Sequence, residues 1–340
     1  MGRFEVALIG SGEVAGEEVL SVLSKSDLPV GHLRSLATYE MVSGEGVTFR
    51  GKDVKENILE ESAFDGVRLA IFVGAAAQAR KWARVAAGMG CWVIDATGSA
   101  SREAPVIVPE INADALPDKP SLLANPSPAS VALAIALAPL ASAATIRRVV
   151  VSTYHGVSGL GRRGMDELST QTRAMLAGNQ DEGDLFPHRI AFNVIPQTDA
   201  FETDDEAARW TGEEQRLAEE TPRLLGQSDL RVTATAARVP VFVGVALSVN
   251  VELASALSFE KARELLAAAP ALRLVDEPTF HLYPLLGEVA GRDDVYVGRM
   301  RIDPTVPHGL SFWIAADDLR RGIALNVVGI AERLAERGLL

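Results

Sequence analysis

Phe4-Glu5-Val6-Ala7-Leu8-Ile9-Gly10-Ser11-Gly12-Glu13-Val14-Ala15-Gly16 passes from a short apolar strand through a glycine-rich turn into a helix. Glycines in such a turn let the backbone approach a pyrophosphate. The helix start adds free N–H donors and positive potential. Gly10-x-Gly12-x-x-Ala15 is a weak motif alone and gains weight from the strand before it and the helix after it. A tight strand-to-helix turn without a ligand is the alternative. Candidate cofactor residues here are Gly10, Ser11, Gly12, Glu13, Val14 and Gly16.

Outward from this turn, residues 33–37, 67–73, 91–95 and 105–108 read as strands, and 14–25 and 76–88 as helices. Strands alternating with helices predict a parallel sheet covered on both faces. The texture changes near Asn125-Pro126. A helix over 128–143 is followed by β-branched runs at 148–153, 190–195, 231–239, 241–251, 295–302 and 310–315. Helices at 162–177, 212–225 and 258–268 interrupt them, which suits a mixed sheet. A last helix covers 317–337.

The chain has 340 residues, enough for about two domains. Its 33 basic and 45 acidic residues leave a net charge of -12. Nucleic-acid binding is therefore not expected, because it needs cations to replace phosphate counterions. No stretch reads as a membrane span or a secretory signal. Cys91 is the single cysteine, which excludes an internal disulfide and a cysteine-rich zinc site. The five histidines lack metal-ligand spacing, so no metal is expected. A reducing cytoplasm is the expected setting.

Several stretches resemble the aspartate-semialdehyde dehydrogenase family. They are Val108-Pro109-Glu110, Ala124-Asn125-Pro126, Val149-Val150-Val151-Ser152-Thr153-Tyr154, Val157-Ser158-Gly159, Ala191-Phe192-Asn193-Val194-Ile195-Pro196, Arg238-Val239-Pro240-Val241 and Leu319-Arg320-Arg321-Gly322. They fall in the family's order across nearly the whole chain. The resemblance implies an α/β fold. Residues 1–126 with 317–340 would form a Rossmann-like dinucleotide-binding domain. Residues 127–316 would form an α+β mixed-sheet catalytic and dimerisation domain, and the C-terminal helix would return to the first domain. It also implies a homodimer through the second domain. The family reaction is NADP-dependent interconversion of aspartyl phosphate and aspartate semialdehyde in amino-acid biosynthesis. It uses a cysteine thioester, a histidine acid/base and a carboxylate-binding arginine.

The family's Asn-Pro-Asn-Cys appears here as Asn125-Pro126-Ser127-Pro128. Proline has no nucleophilic atom, so no thioacyl intermediate can form at that position. Ser127 remains a suitable N-cap and Pro128 a suitable first helical residue. The family's arginine, intervening residue and histidine are matched with Val243-Gly244-Val245. Val243 cannot make a bidentate carboxylate contact, and Val245 cannot move a proton. The cleft is accordingly expected to be apolar and to hold no catalytic residue. That makes the chain a pseudoenzyme, which could pair with an active relative in a hetero-oligomer. An NAD(P)-dependent oxidoreductase acting on a related aldehyde or acyl substrate is the alternative.

His155 stands where the family has a substrate-contacting glutamine. Glu213 and Arg216 match an acid and a base of the substrate cleft, though a solvated helix face reads equally well. Serine chemistry at Ser127 or Ser130 with His155 lacks an identifiable third residue to orient the histidine. Ser158 and Gly159 match the turn near the nicotinamide. Thr38-Tyr39-Glu40 replaces a segment that carries an arginine for the 2′-phosphate of NADP. Glu40 would repel that phosphate, so NAD is favoured over NADP. Glu13, in place of the turn's middle glycine, weakens the case for either cofactor.

Overall fold

The computed structural model describes residues 2–38, 46–179, 183–203, 205 and 209–340. The chain forms two compact units, residues 1–126 with 323–340, and residues 127–322. Residues 317–322, expected with the first domain, belong to the second unit.

The first unit begins with β1 (Phe4–Ile9), α1 (Val14–Lys25) and β2 (Val30–Ala37). A hairpin of β3 (Val47–Phe49) and β4 (Lys52–Val54) leads to β5 (Glu56–Ile58) and β6 (Val67–Phe72). Then come α2 (Ala76–Gly88), β7 (Trp92–Asp95), the single turn α3 (Pro109–Asn112) and β8 (Leu122–Ala124). The sheet order is β5-β2-β1-β6-β7-β8, parallel throughout. Strand side chains alternate between faces, and both faces of β1 are buried. Val6 and Leu8 join a core with α1, while Ala7 and Ile9 join one with α2. Strand order reverses at β1, so the crevice for a ligand opens at the carboxyl ends of β1 and β6. The Gly10 turn lies at that end.

The second unit contains α4 (Pro128–Ala143), β9 (Ile146–His155), α5 (Gly161–Leu176), α6 (Gly212–Leu225), β10 (Arg231–Arg238) and β11 (Val245–Leu253). It continues with α7 (Phe259–Ala268), β12 (Leu272–Leu274), β13 (Val295–Asp303) and β14 (Gly309–Ala316). Its sheet order is β10-β9-β11-β14-β13-β12. Parallel pairs at both edges flank an antiparallel centre. α4 is apolar nearly all round and buried along most of its length, as a central helix must be. The C-terminal α8 (Leu325–Glu336) packs on α1 in the first unit, inserting Val327, Ile330 and Leu334 into that core. The Trp92 indole N–H then donates to Leu339 O at 3.0 Å.

Three expected elements differ. Residues 105–108 form no strand, since only Val106 bridges to Ala124. Residues 190–195 are a loop, because Phe192 takes φ 56° and only Ile195 pairs with Arg238. The expected helix over 317–337 starts late. Asp317 accepts from Arg320 N and Arg321 N, and a wide turn over Arg320–Ala324 precedes α8.

Candidate functional site

In the first unit, Gly10 has φ 88°, and a β-carbon there would lie 2.5 Å from Val73 O. A β-carbon on Gly16 would lie 2.1 Å from Gly10 O. Only glycine lets α1 seat this closely on the turn. Ser11 is buried, with its hydroxyl 2.6 Å from that of Ser35. Gly12 is exposed, Glu13 is the extended residue before α1, and Val14 begins the helix. Thr38 Oγ1 accepts from Gln78 Nε2 at 3.2 Å. Tyr39 and Glu40 lie outside the described residues. These residues fit a dinucleotide: the bare backbone at 10–12 and the free first-turn N–H groups of α1 would hold the pyrophosphate. Glu13 places a carboxylate at the same turn and opposes it.

In the second unit, the start of α4 is the centre of a polar cluster. Ser127 caps the helix, its Oγ accepting from Ser130 N at 3.1 Å. The same hydroxyl donates to Glu213 Oε1 at 2.9 Å, and Ser127 N donates to Glu220 Oε2 at 2.9 Å. Both carboxylates come from α6, where residues seven apart share a face. A Thr211–Glu214 capping box fixes the start of that helix. Arg216 Nη2 bridges Glu213 and Asp199 at 2.7 Å each. The adjoining sheet edge adds a second row. His155 ends β9, paired with Arg238 of parallel β10 on one side and Val245 of antiparallel β11 on the other. His155 Nε2 is 2.8 Å from Thr153 Oγ1 and 4.0 Å from Glu213 Oε1. Arg238 is buried and donates to Gly156 O at 2.7 Å and Thr198 O at 3.0 Å. Val245 is fully buried, and Val243 lies in the preceding loop.

Burial pushes the His155 ring down to about 4, so it is neutral. Glu213 acts against that shift, and Arg238 and Arg216 add to it. Burial alone would raise Glu213, but the Arg216 charge, the neighbouring His155 and the hydrogen bonds from Arg216 and Ser127 together outweigh it and hold the carboxylate low. Glu220, equally buried, is pushed up to about 7 because its hydrogen bonds to Ser130 and Ser127 and the Arg216 charge compensate only in part. Burial also raises Asp318, which accepts from Ser158 Oγ and Gly244 N at 2.6 Å each. Asp318 thereby ties the Ser158-Gly159 turn to the loop that leads into Val245. One helix face thus carries an ionised carboxylate and a carboxyl that holds its proton near neutrality.

The structure brings together Ser127, Pro128, His155, Glu213, Arg216 and Val245. It places Asn125 in the first unit, where its Oδ1 accepts from Asn326 Nδ2 at 2.8 Å. The expectation of an apolar cleft is incorrect. Buried ionisable groups crowd it, and Arg238 places a guanidinium beside His155, where the sequence reading had none. Glu213 is 4% exposed, which rules out a solvated helix face for that residue. A partner for His155 also exists in Thr153. Glu220, Arg238, Asp318 and Asp199 were not assigned from sequence. Glu220 was findable, standing seven residues after Glu213 on the same helix. Among the described residues, no group of acids, histidines and cysteine could hold a metal ion.

Comparison with known proteins gives the same frame. Residues 5–119 match the semialdehyde dehydrogenase NAD binding domain, and residues 137–321 match the semialdehyde dehydrogenase dimerisation domain. The chain is 37% identical to the aspartate-semialdehyde dehydrogenase of Aquifex aeolicus, over 99% of each chain. It is 36% identical to that of Legionella pneumophila, over 99% of this chain and 97% of the relative. Among solved structures, aspartate semialdehyde dehydrogenase II of Vibrio cholerae complexed with ASA superposes with a TM-score of 0.92. That structure is 34% identical over 99% of both chains. With two matching domain models and full-length relatives above 30% identity, this chain belongs to the aspartate-semialdehyde dehydrogenase family.

Proposed function

We propose that this family member keeps the fold and a polar ligand cleft but does not perform the thioester reaction. The observation that carries the reading is Pro128. It is the first residue of α4, directly after the Ser127 cap, and it has no atom able to attack a carbonyl. Val245, beside His155 in the sheet, has no proton to give or take. The remaining groups suit binding rather than covalent catalysis. Glu213 and Arg216 are paired ions, and neutral His155 offers one donor and one acceptor.

Intact-mass spectrometry tests this. The protein is incubated with aspartate semialdehyde and NADP, with phosphate omitted so that a thioester would accumulate. The expected spectrum shows unmodified chain, and an added acyl mass overturns the reading.

The first unit supports nicotinamide nucleotide binding, with NAD favoured. A homodimer through the second unit is supported by the dimerisation-domain match and by the sheet face. On that face Tyr154 and Trp313 stack at 5.5 Å between centroids, and with Tyr296 they stay only partly buried. A cytoplasmic setting agrees with the single buried cysteine.

A further inference from the structure

In the second unit α4 packs on β9, β11, β13 and β14, with α6 and α7 beside it. Val149, Val151, Val249 and Phe312 are buried on the strands it covers. Strand side chains alternate, so the residues between these point to the opposite face. Register aligns that face in rows across β9, β11 and β14: Tyr154 with Ala246 and Ala315, Ser152 with Ser248 and Trp313, and finally Arg148 with Glu252 and Gly309. Opposite charges placed directly across an antiparallel pair commonly bond to each other. Arg148 and Glu252 do not, and neither has another partner among the described residues. A cavity of about 180 Å³ opens there, lined by both and by Val150, Asn250, Asp303 and Thr305. Asp303 is already occupied, accepting from Thr305 Oγ1 at 2.6 Å and Asn250 Nδ2 at 3.1 Å. Arg148 and Glu252 are thus a free cation and a free acid at one end of an otherwise uncharged face.

We propose, on the homodimer reading above, that a second copy of the chain docks on this face in one register, with Arg148 of each copy paired to Glu252 of the partner subunit. A two-fold contact is self-complementary: when one residue meets a second on the partner, the second meets the first. An axis running along the strands between β9 and β11 lays β9 of one copy over β11 of the other and keeps each row facing itself. Both Arg148–Glu252 pairs then form at once. The same axis sets Tyr154 over the partner's Ala246 and Thr235, which neighbours Ser152 on β10, over the partner's Trp313. In both cases a large ring meets a small side chain, as two faces that interdigitate require. Stacked sheets lie roughly 10 Å apart, a gap that an arginine and a glutamate extended toward each other can span.

The test is charge reversal of the full chain, read by sedimentation and by native mass spectrometry. Arg148→Glu and Glu252→Arg each replace both pairs of the homodimer with like charges. Each should weaken dimerisation roughly tenfold or more. Thermal melting confirms that the single variants are folded. An equimolar mixture of the two variants restores two opposite-charge pairs across the interface. The mixture should therefore form the mixed dimer with close to wild-type affinity, a rescue that a role within one chain does not give. A wild-type chain that stays monomeric overturns both this register and the homodimer reading. A wild-type dimer that both single variants match, or a mixture no tighter than the single variants, overturns the register and leaves the homodimer standing.

Discussion

The ring of Pro128 lies directly against Gly322: a β-carbon at 322 would come 2.5 Å from the Pro128 β-carbon and 2.8 Å from its α-carbon. The residue without a reactive atom is therefore clamped between its own helix and the turn before α8. Neither of those Pro128 atoms can swing aside. Gly322→Ala should destabilise the protein by about 1–3 kcal/mol through overpacking. Urea unfolding followed by fluorescence measures it, and an unchanged midpoint would show that the turn yields.

Ser127 does two jobs at once, capping α4 through Ser130 N and donating to Glu213. Ser127→Ala removes both contacts and leaves a buried carboxylate oxygen short of a donor. The expected cost is about 1–2 kcal/mol in the same unfolding measurement.

Two buried groups pull the pH dependence in opposite directions. Glu220 rises from 4.5 to about 7, so the native state holds a proton that the unfolded state has released. Stability falls as pH rises through that window, by on the order of 3 kcal/mol. His155 drops from 6.5 to about 4, so there the unfolded state binds the extra proton and stability rises with pH. The two slopes offset each other where the windows overlap, and single variants separate them. Relative to wild type, Glu220→Gln should gain stability from about pH 5 to about pH 8. His155→Gln should gain as pH falls from about 7 to about 4. Parallel slopes for wild type and either variant would show that the substituted group keeps its ordinary titration in the fold.

Cys91 is buried, and burial raises its thiol. Its Sγ sits 3.2 Å from Val67 O. A disulfide reagent should leave the native chain unlabelled and react with one thiol per chain in denaturant. Fast labelling of the native protein would contradict this placement.

What was legible in the sequence was what is local. The β1–Gly10–α1 unit depends on neighbours a few residues apart, and so does the Ser127-Pro128 helix start. The Rossmann-like first unit follows from them. The runs at 105–108 and 190–195 looked like strands, but strand formation needs a partner and neither run has one along its length. The cluster was misread for the same reason. Reading the family motif linearly put the arginine at Val243, whereas parallel pairing of β10 with β9 puts Arg238 beside His155. No periodicity in the chain announces that relationship.

The most direct measurement is steady-state absorbance of NADPH or NADH, with aspartate semialdehyde, phosphate and either nucleotide supplied to the full chain. The predicted result is no reduction of NADP or NAD above the protein-free blank, because Pro128 cannot form the acyl intermediate. Turnover that disappears in Glu213→Gln would place a working active site in this cleft and contradict the claim.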